Sequence, residues 1–273
     1  MDYKISRLPN GLRVVTSILP NLESATLTIW VKAGSRLETD RIAGISHFLE
    51  HMVFKGSQKR PSAREIAEAV DAIGGEFNAA TSKEWTNFYI KARSANLPLA
   101  FDVLADMVLN PVLKAEEVER EKGVILEEMA MYEDTPIYKI GDVFEELTFS
   151  GSTLGRDIIG VKESIKAFSR NDIVGYRRDH YYADNIVITV SGGVSEKDVL
   201  SLSRKYFGNL QKGTSKAKYN YHHRQKSPRV KLKQKQNEQA HFILGFVGHP
   251  RGDKRRFTEA VLSCLLGGGM SSR

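Results

Sequence analysis

Apolar and polar residues alternate near the start of the chain, which is the period of a half-buried β-strand. The segment LRVVTSIL (12–19) follows Asn10-Gly11, and this dipeptide supplies the positive φ angles of a tight hairpin turn. The segment SATLTIWVKAG (24–34) is rich in β-branched and aromatic residues and predicts a second strand. Further strands are predicted within residues 76–92, as two strands around Ser82-Lys83, and at residues 185–193.

Elsewhere the hydrophobic pattern has a helical period. Helices are predicted at residues 43–56, 62–75, 96–109, 115–133, 136–149, 171–182 and 195–208. Ser62 is expected to cap the second of these, because Glu65 three residues later completes a capping box. Strands and helices mixed with hairpins favour an α+β fold over a doubly wound parallel sheet.

The pattern restarts after a lysine-rich segment. AHFILGFVGHPR (240–251) predicts a strand and turn, and FTEAVLSCLLGGG (257–269) predicts a helix. Residues 25–36 align without a gap on residues 240–251, although the identity is low. In the same register, residues 47–57 fall on residues 262–272. This weak repeat predicts a second, homologous domain.

The repeat also sets the expected domain organisation. We expect a catalytic domain at residues 1–211, a basic interdomain linker at 212–235 and the start of a second, incomplete domain at 236–273. One strand and one helix are too few to bury a core of their own. The natural protein is therefore expected to continue past Arg273.

The 273-residue chain has a globular composition, with 41% hydrophobic and 27% charged residues. Its single cysteine, Cys264, excludes an intrachain disulfide and a cysteine-based zinc cluster. The sequence shows neither a signal peptide, nor a transit peptide, nor an apolar run of about 18 residues. A cytoplasmic bacterial protein without a membrane partner is expected.

The formal net charge is +7, and much of the excess lies in residues 212–235. Charge runs of this kind are usually solvated, so we interpret the segment as a linker. Contact with nucleic acid or another anionic surface is the alternative. The aromatic residues of the segment, Tyr219 and Tyr221, are too few for a base-stacking platform. No nucleic-acid partner is expected.

The helix at 43–56 carries the run His47-Phe48-Leu49-Glu50-His51. Histidines four residues apart share one helix face and can reach one metal ion. Glu50 lies on the same side but offset, where it can take a proton from a bound water. The alternative is a buried helix with incidental histidines, but two histidines and an acid are costly to bury without a partner.

A hydrolytic zinc site needs a third protein ligand. The helix at 115–133 offers Glu121 and Glu128, which are seven residues apart and lie on nearly one face. Glu127 points about 100° away. A solvated helix face is the alternative for these acids. The apolar run at 123–126 indicates instead that at least half of this helix is buried.

These segments resemble the pitrilysin/insulinase family of zinc peptidases, peptidase family M16, whose inverted motif is His-x-x-Glu-His. The similarity is closest to the branch of bacterial processing proteases and the mitochondrial processing peptidase β-subunit. It extends over nearly the whole chain. The segments that carry it are LPNGLRVV, AGSRLE, GISHFLEHMVFKGS, GGEFNAATSKEWTNFY, EREKGVILEEM, LGRDIIG, DHYYADNIVITVSG and LGGGMSSR.

The resemblance implies that His47, His51 and Glu128 hold one Zn²⁺ per chain and that Glu50 is the general base. It also implies paired homologous α+β domains, each a mostly antiparallel sheet covered by helices. Leu262, Leu265 and Leu266 align with His47, Glu50 and His51, so the second copy is expected to lack a metal site.

Three further residues take roles from the same resemblance. Glu121 is expected to support the site through a histidine. Asn78 and Ala79 are expected to border the cleft, on a strand that pairs with extended substrate. In the family, arginine and tyrosine side chains from a later region help to bind substrate, and this chain stops at GGGMSSR before that region.

The predicted function is that of a zinc-dependent endopeptidase that hydrolyses extended oligopeptides or unfolded segments. A homodimer, or a heterodimer with a related subunit, is expected. The first alternative is a non-catalytic scaffold or regulatory subunit of the same fold, against which the intact site residues argue. The second is a nucleic-acid-binding protein, suggested by the pI of about 9.3. The third is a site that stays inactive until a partner half is supplied.

Overall fold

The computed structural model describes residues 2–213, 221, 225–236 and 238–272. The chain forms two compact units, Met1–Gln234 and Lys235–Arg273. The described part of the first unit contains a six-stranded sheet in the order β1-β2-β6-β3-β5-β4. Its strands are β1 Lys4–Arg7, β2 Arg13–Ile18, β3 Ser24–Val31, β4 Glu76–Thr81, β5 Thr86–Arg93 and β6 Ile186–Gly192.

Neighbouring strands of this sheet are antiparallel, except that β2 and β6 are parallel. The predicted α+β fold with a mostly antiparallel sheet covered by helices is therefore confirmed. The helices are α1 Ile45–Val53, α2 Ala63–Asp71, α3 Leu97–Leu109, α4 Ala115–Asp134, α5 Pro136–Thr148, α6 Lys162–Ala167, α7 Arg170–His180, α8 Glu196–Phe207 and, in the second unit, α9 Arg256–Gly267.

The core of the first unit lies on one face of the sheet. Strand β3 turns Leu27, Ile29 and Val31 to this face, and each is 0% exposed. The same alternation buries Phe88 on β5 and Ile188 on β6. Burying such a side chain fully stabilises the fold by about 1.5–3 kcal/mol relative to leaving it exposed. The apolar alternation visible in the sequence therefore determines which sheet face receives the helices.

Two local predictions agree with the structure in detail. Gly11 has φ +93°, the conformation that the turn between β1 and β2 requires and that glycine adopts without strain. Ser62 caps α2 in a capping box, in which its backbone amide donates to Glu65 Oε2 at 2.9 Å. Both features depend only on residues close together in the sequence.

The predicted linker falls partly outside the described residues, which include Tyr221 but not Tyr219. Within the first unit, Tyr221 donates a hydrogen bond to the carbonyl of Thr148 at 3.2 Å, and Lys231 forms an ion pair with Glu146. The domain limits at 211 and 235 remain a prediction.

The second unit departs from the sequence prediction. Residues 240–251 form no strand, and Phe242 and Phe246 are each 88% exposed. A strand is stable only when its amides and carbonyls pair with a neighbour, and the described residues of this unit contain no other strand. The predicted helix at 257–269 is present as α9. No helix in the described parts of either unit is both long and apolar enough to cross a membrane.

Candidate metal centre

Helix α1 presents the His-x-x-Glu-His run from a well-packed position. Its opposite side is in the core, where Phe48, Leu49 and Met52 are each 0% exposed. The helix begins after Gly44, whose φ is +92° and whose site leaves no room for a Cβ, since that atom would lie 2.4 Å from the carbonyl oxygen of Ile159. This packing holds the polar side of the helix in a fixed direction.

Helix α4 supplies the third side chain of the site. Val118, Glu121 and Ile125 are buried on the face that packs into the unit. Glu128 continues this face one turn further and is partly buried, whereas Glu127 is exposed. The helical phase therefore turns Glu128, and not its neighbour, toward α1.

His47, His51 and Glu128 converge from these two helices. The Nε2 atom of His47 lies 3.8 Å from Glu128 Oε1, and the Nε2 atom of His51 lies 3.6 Å from Glu128 Oε2. Each residue offers one ligand atom, and these atoms all lie within 4.8 Å of one another. In the described part of the chain, this is the one group of three histidine, cysteine or acidic side chains with such spacing.

The donor set fits a divalent cation such as zinc. The distances of 3.6 and 3.8 Å exceed hydrogen-bonding range, so the three side chains face one another without bonding. Two imidazoles and one carboxylate are a zinc ligand set that leaves a fourth position open. The Nδ1 atom of His47 is buried and has no hydrogen-bond partner among the described residues.

Burial and, to a smaller extent, the neighbouring His51 together lower the pKa of His47 to about 4. His47 is therefore neutral at pH 7, which is the form that binds a metal. For His51, burial acts to lower the pKa, but the hydrogen bond of Glu121 and the charge of Glu128 outweigh it and raise the pKa. Burial raises the pKa of Glu128.

Glu121 lies behind His51 and is almost fully buried, with a side-chain exposure of 1%. Its Oε1 atom lies 2.8 Å from His51 Nδ1. A histidine that donates from Nδ1 to a carboxylate keeps Nε2 free as a ligand. The other carboxylate oxygen, Oε2, lies 2.6 Å from the ammonium of Lys55, a residue that no sequence pattern singles out.

Glu50 stands beside the three-residue group but outside it. Its Oε2 atom accepts a hydrogen bond of 2.5 Å from the hydroxyl of Thr81 at the end of β4. Burial raises the pKa of Glu50, an effect that this hydrogen bond partly offsets. No sequence pattern singles out Thr81, although it lies only two residues after the predicted Asn78-Ala79 pair.

Asn78 and Ala79 lie on β4, which is one of the two edge strands of the sheet. The side chain of Asn78 is exposed, and its Oδ1 atom accepts a hydrogen bond of 2.8 Å from the backbone amide of Ala79. An edge strand has one side free to pair with an extended peptide. The structure thus places both residues on the strand that also carries Thr81.

Comparison with known proteins identifies the protein family to which this chain belongs. Residues 13–162, which contain His47, Glu50, His51 and Glu128, match the family model for insulinase, peptidase family M16. The chain belongs to the M16 family of peptidases. Residues 167–273 match the model described as the peptidase M16 inactive domain.

Relatives and solved structures agree with M16 membership. The chain is 41% identical to an uncharacterized zinc protease of Streptomyces coelicolor and 40% identical to the uncharacterized zinc protease YmxG of Bacillus subtilis. Each match covers 97% of this chain, but only 59% and 64% of the respective relative. The chain thus spans about three fifths of the length of these relatives.

Among solved structures, a protease from Helicobacter pylori superposes with a TM-score of 0.75 at 29% identity, over 79% of this chain and 52% of that one. Pitrilysin superposes with a TM-score of 0.72 at 24% identity, over 81% of this chain and 24% of pitrilysin. At that identity the likeness to pitrilysin shows a shared fold.

Proposed function

We propose that this M16 chain carries the hydrolytic site of a zinc-dependent endopeptidase, with His47, His51 and Glu128 as metal ligands and Glu50 as general base. The observation that carries the proposal is the convergence of three unbonded ligand atoms within 4.8 Å, with a carboxylate beside them. One zinc ion per chain is expected at this position. The zinc-protease names of the relatives support the choice of metal.

When bound, zinc supplies a Lewis acid that polarises a peptide carbonyl and makes water a stronger acid. In the proposed reaction, Glu50 takes the proton of the attacking water and delivers it to the leaving amine. Because Thr81 holds Oε2 of Glu50, the other carboxylate oxygen remains available for this transfer. The raised pKa of Glu50 makes its carboxylate a stronger base.

The free side of β4 is the proposed substrate platform. An extended peptide would pair with the backbone near Asn78 and Ala79, which gives affinity for backbone groups rather than for a sequence. Oligopeptides and unfolded segments are therefore the proposed substrates, since most backbone amides and carbonyls of a folded protein are already hydrogen-bonded. Pairing into a homodimer or with a related subunit, and a cytoplasmic location, remain predictions.

A non-catalytic scaffold or regulatory subunit is the second candidate, because the model that matches residues 167–273 describes an inactive domain. The four candidate site residues lie outside that match, in the segment that matches the peptidase model. Their convergence in one place favours the catalytic proposal over the scaffold. A measurement of bound zinc distinguishes the catalytic proposal, which requires the metal, from the scaffold, which does not.

The test is the metal content of purified chain by mass spectrometry, combined with cleavage of an unstructured peptide. We expect about one zinc per wild-type chain and little zinc in Glu128→Gln or His51→Ala, because each loses one of three ligands. Glu127→Gln is the matched control and should keep its zinc. Glu50→Gln should keep zinc and lose hydrolysis.

A well-folded wild-type chain without zinc would overturn the proposed metal site and favour the non-catalytic scaffold as the function. Full zinc occupancy in Glu128→Gln would refute the assignment of the third ligand. Zinc without hydrolysis in the wild-type chain would count against catalysis by this chain alone, since the chain covers only part of its relatives' length.

A further inference from the structure

We infer that Lys55 is a positioning residue of the candidate zinc site, which it serves by fixing the Glu121 carboxylate that orients His51. The inference rests on the proposed function, since it concerns the same metal ligands. Among the described residues, no hydrogen bond or ion pair joins the Lys55 side chain to His47, His51 or Glu128. Lys55 would act on zinc binding through two successive contacts, from Lys55 to Glu121 and from Glu121 to His51.

The two contacts use different oxygens of one carboxylate. Lys55 Nζ lies 2.6 Å from Glu121 Oε2, and His51 Nδ1 lies 2.8 Å from Glu121 Oε1. The Lys55 backbone amide donates to the carbonyl of Met52 at 3.2 Å, so the chain is still turning after α1 ends. Lys55 therefore lies four residues and about one turn after His51, on the same side.

The burial of Glu121 distinguishes this ion pair from the other ion pairs of α4. Glu121 has 1% of its side chain exposed, whereas the carboxylates in the pairs Lys122–Glu119 and Arg120–Glu117 are 67% and 21% exposed. In the part of the chain that the structure describes, His51 and Lys55 are the two side chains that pair with Glu121. The Oε2 atom of Glu121 is buried and accepts no hydrogen bond of normal geometry from the described residues, so the ion pair with Lys55 is its one polar contact among them.

A buried carboxylate with a charged contact at only one oxygen turns about its side-chain bonds more readily than one with such contacts at both oxygens. Loss of Lys55 would therefore loosen the Glu121 carboxylate and with it the imidazole of His51. Removing partners that orient a metal-binding histidine typically weakens metal affinity by about 10–100-fold.

The charge of Lys55 acts in the opposite direction. A positive charge near a cation site weakens binding, so its removal alone would strengthen zinc affinity. Lys55 is 30% exposed and its charge is already paired with Glu121, which limits this effect. The sign of the measured change therefore tells which effect dominates, and the geometry favours loss of affinity.

The test is the zinc dissociation constant of the whole chain, measured by competition with a chromogenic chelator. Lys55→Met, which keeps length and removes charge, is expected to raise the dissociation constant about 10–100-fold. Lys55→Arg should restore affinity to within about 3-fold of wild type, because the guanidinium can also hold a carboxylate. Lys59→Met is the control, since Lys59 forms an exposed ion pair with Asp102.

A second comparison shows whether Lys55 acts through Glu121. In a Glu121→Gln background, Lys55→Met should change the dissociation constant little, because the group it positions is already gone. A simple loss of structure would lower affinity in both backgrounds.

An unchanged or tighter dissociation constant in Lys55→Met, with wild type binding zinc, would overturn this inference and leave the proposed function intact. Absence of zinc binding in the wild type would overturn both. Equal effects of Lys55→Met with and without Glu121 would also refute the inference.

Discussion

The carboxylate of Glu38, which lies outside the helix, caps the N-terminus of α1. Gly44 and Ser46, at the start of the helix, donate their backbone amides to its two oxygens at 2.6 and 2.8 Å. Helix α1 has no side-chain cap from its own N-cap residue. Glu38 is 3% exposed, so water cannot replace it readily. Glu38 therefore fixes the helix that carries His47.

Replacement of Glu38 by alanine leaves two buried amide donors without partners. Each such loss costs about 1–3 kcal/mol. Part of this cost is offset, because burial of the charged carboxylate is itself unfavourable and raises the pKa of Glu38. We expect Glu38→Ala to lower the free energy of unfolding of the first unit by about 2–4 kcal/mol.

Urea unfolding monitored by tryptophan fluorescence measures this change, because Trp30 and Trp85 both lie in the first unit. The urea midpoint should fall while the slope stays unchanged. Glu68→Ala is the control, because Glu68 is 59% exposed in an ion pair with Arg64 and should cost less than about 0.5 kcal/mol. A Glu38→Ala effect no larger than this control would refute the capping role.

Two further predictions concern pH and metal. Burial raises the pKa of Glu38 in the folded state. The stabilisation that protonated Glu38 gives to the folded state is therefore complete below the pKa of Glu38 in the unfolded chain, and it is lost as the pH rises through the folded-state pKa. Wild type should therefore gain stability relative to Glu38→Gln as the pH falls toward the ordinary glutamate pKa of about 4.5, and a constant difference in urea midpoint would contradict this. Zinc at about 100 times its dissociation constant should stabilise the wild-type chain by about 2.7 kcal/mol, since only the folded state has the site. Glu127→Gln should keep this stabilisation and Glu128→Gln should lose it, whereas a shift retained in Glu128→Gln would point to another site.

Local features of the fold were predictable from the sequence because the interactions that specify them are local. The turn at Gly11 and the capping box of Ser62 each involve residues within a few positions of one another. Strands β2 to β6 follow from their apolar pattern, whereas β1 shows no such pattern and was not predicted, and α1 follows from its helical period. Helix α6 was missed, because its six residues are too few to show a period.

The strand predicted at 240–251 failed for the opposite reason. Its residues have the apolar alternation of a strand, but the described part of the second unit offers no neighbouring strand to complete its hydrogen bonds. Strand propensity describes how well a segment fits a sheet, and it does not provide the sheet.

For the candidate site, the sequence by itself determined the spacing of His47, Glu50 and His51 and the helical phase that separates Glu128 from Glu127. It could not determine the contacts of Lys55, Thr81 or Glu38, because each depends on how separate elements pack. Glu121 meets His51 from 70 positions away, and Thr81 meets Glu50 from 31 positions away. Helical periodicity fixes which side of a helix a residue occupies, whereas only tertiary packing decides what faces that side.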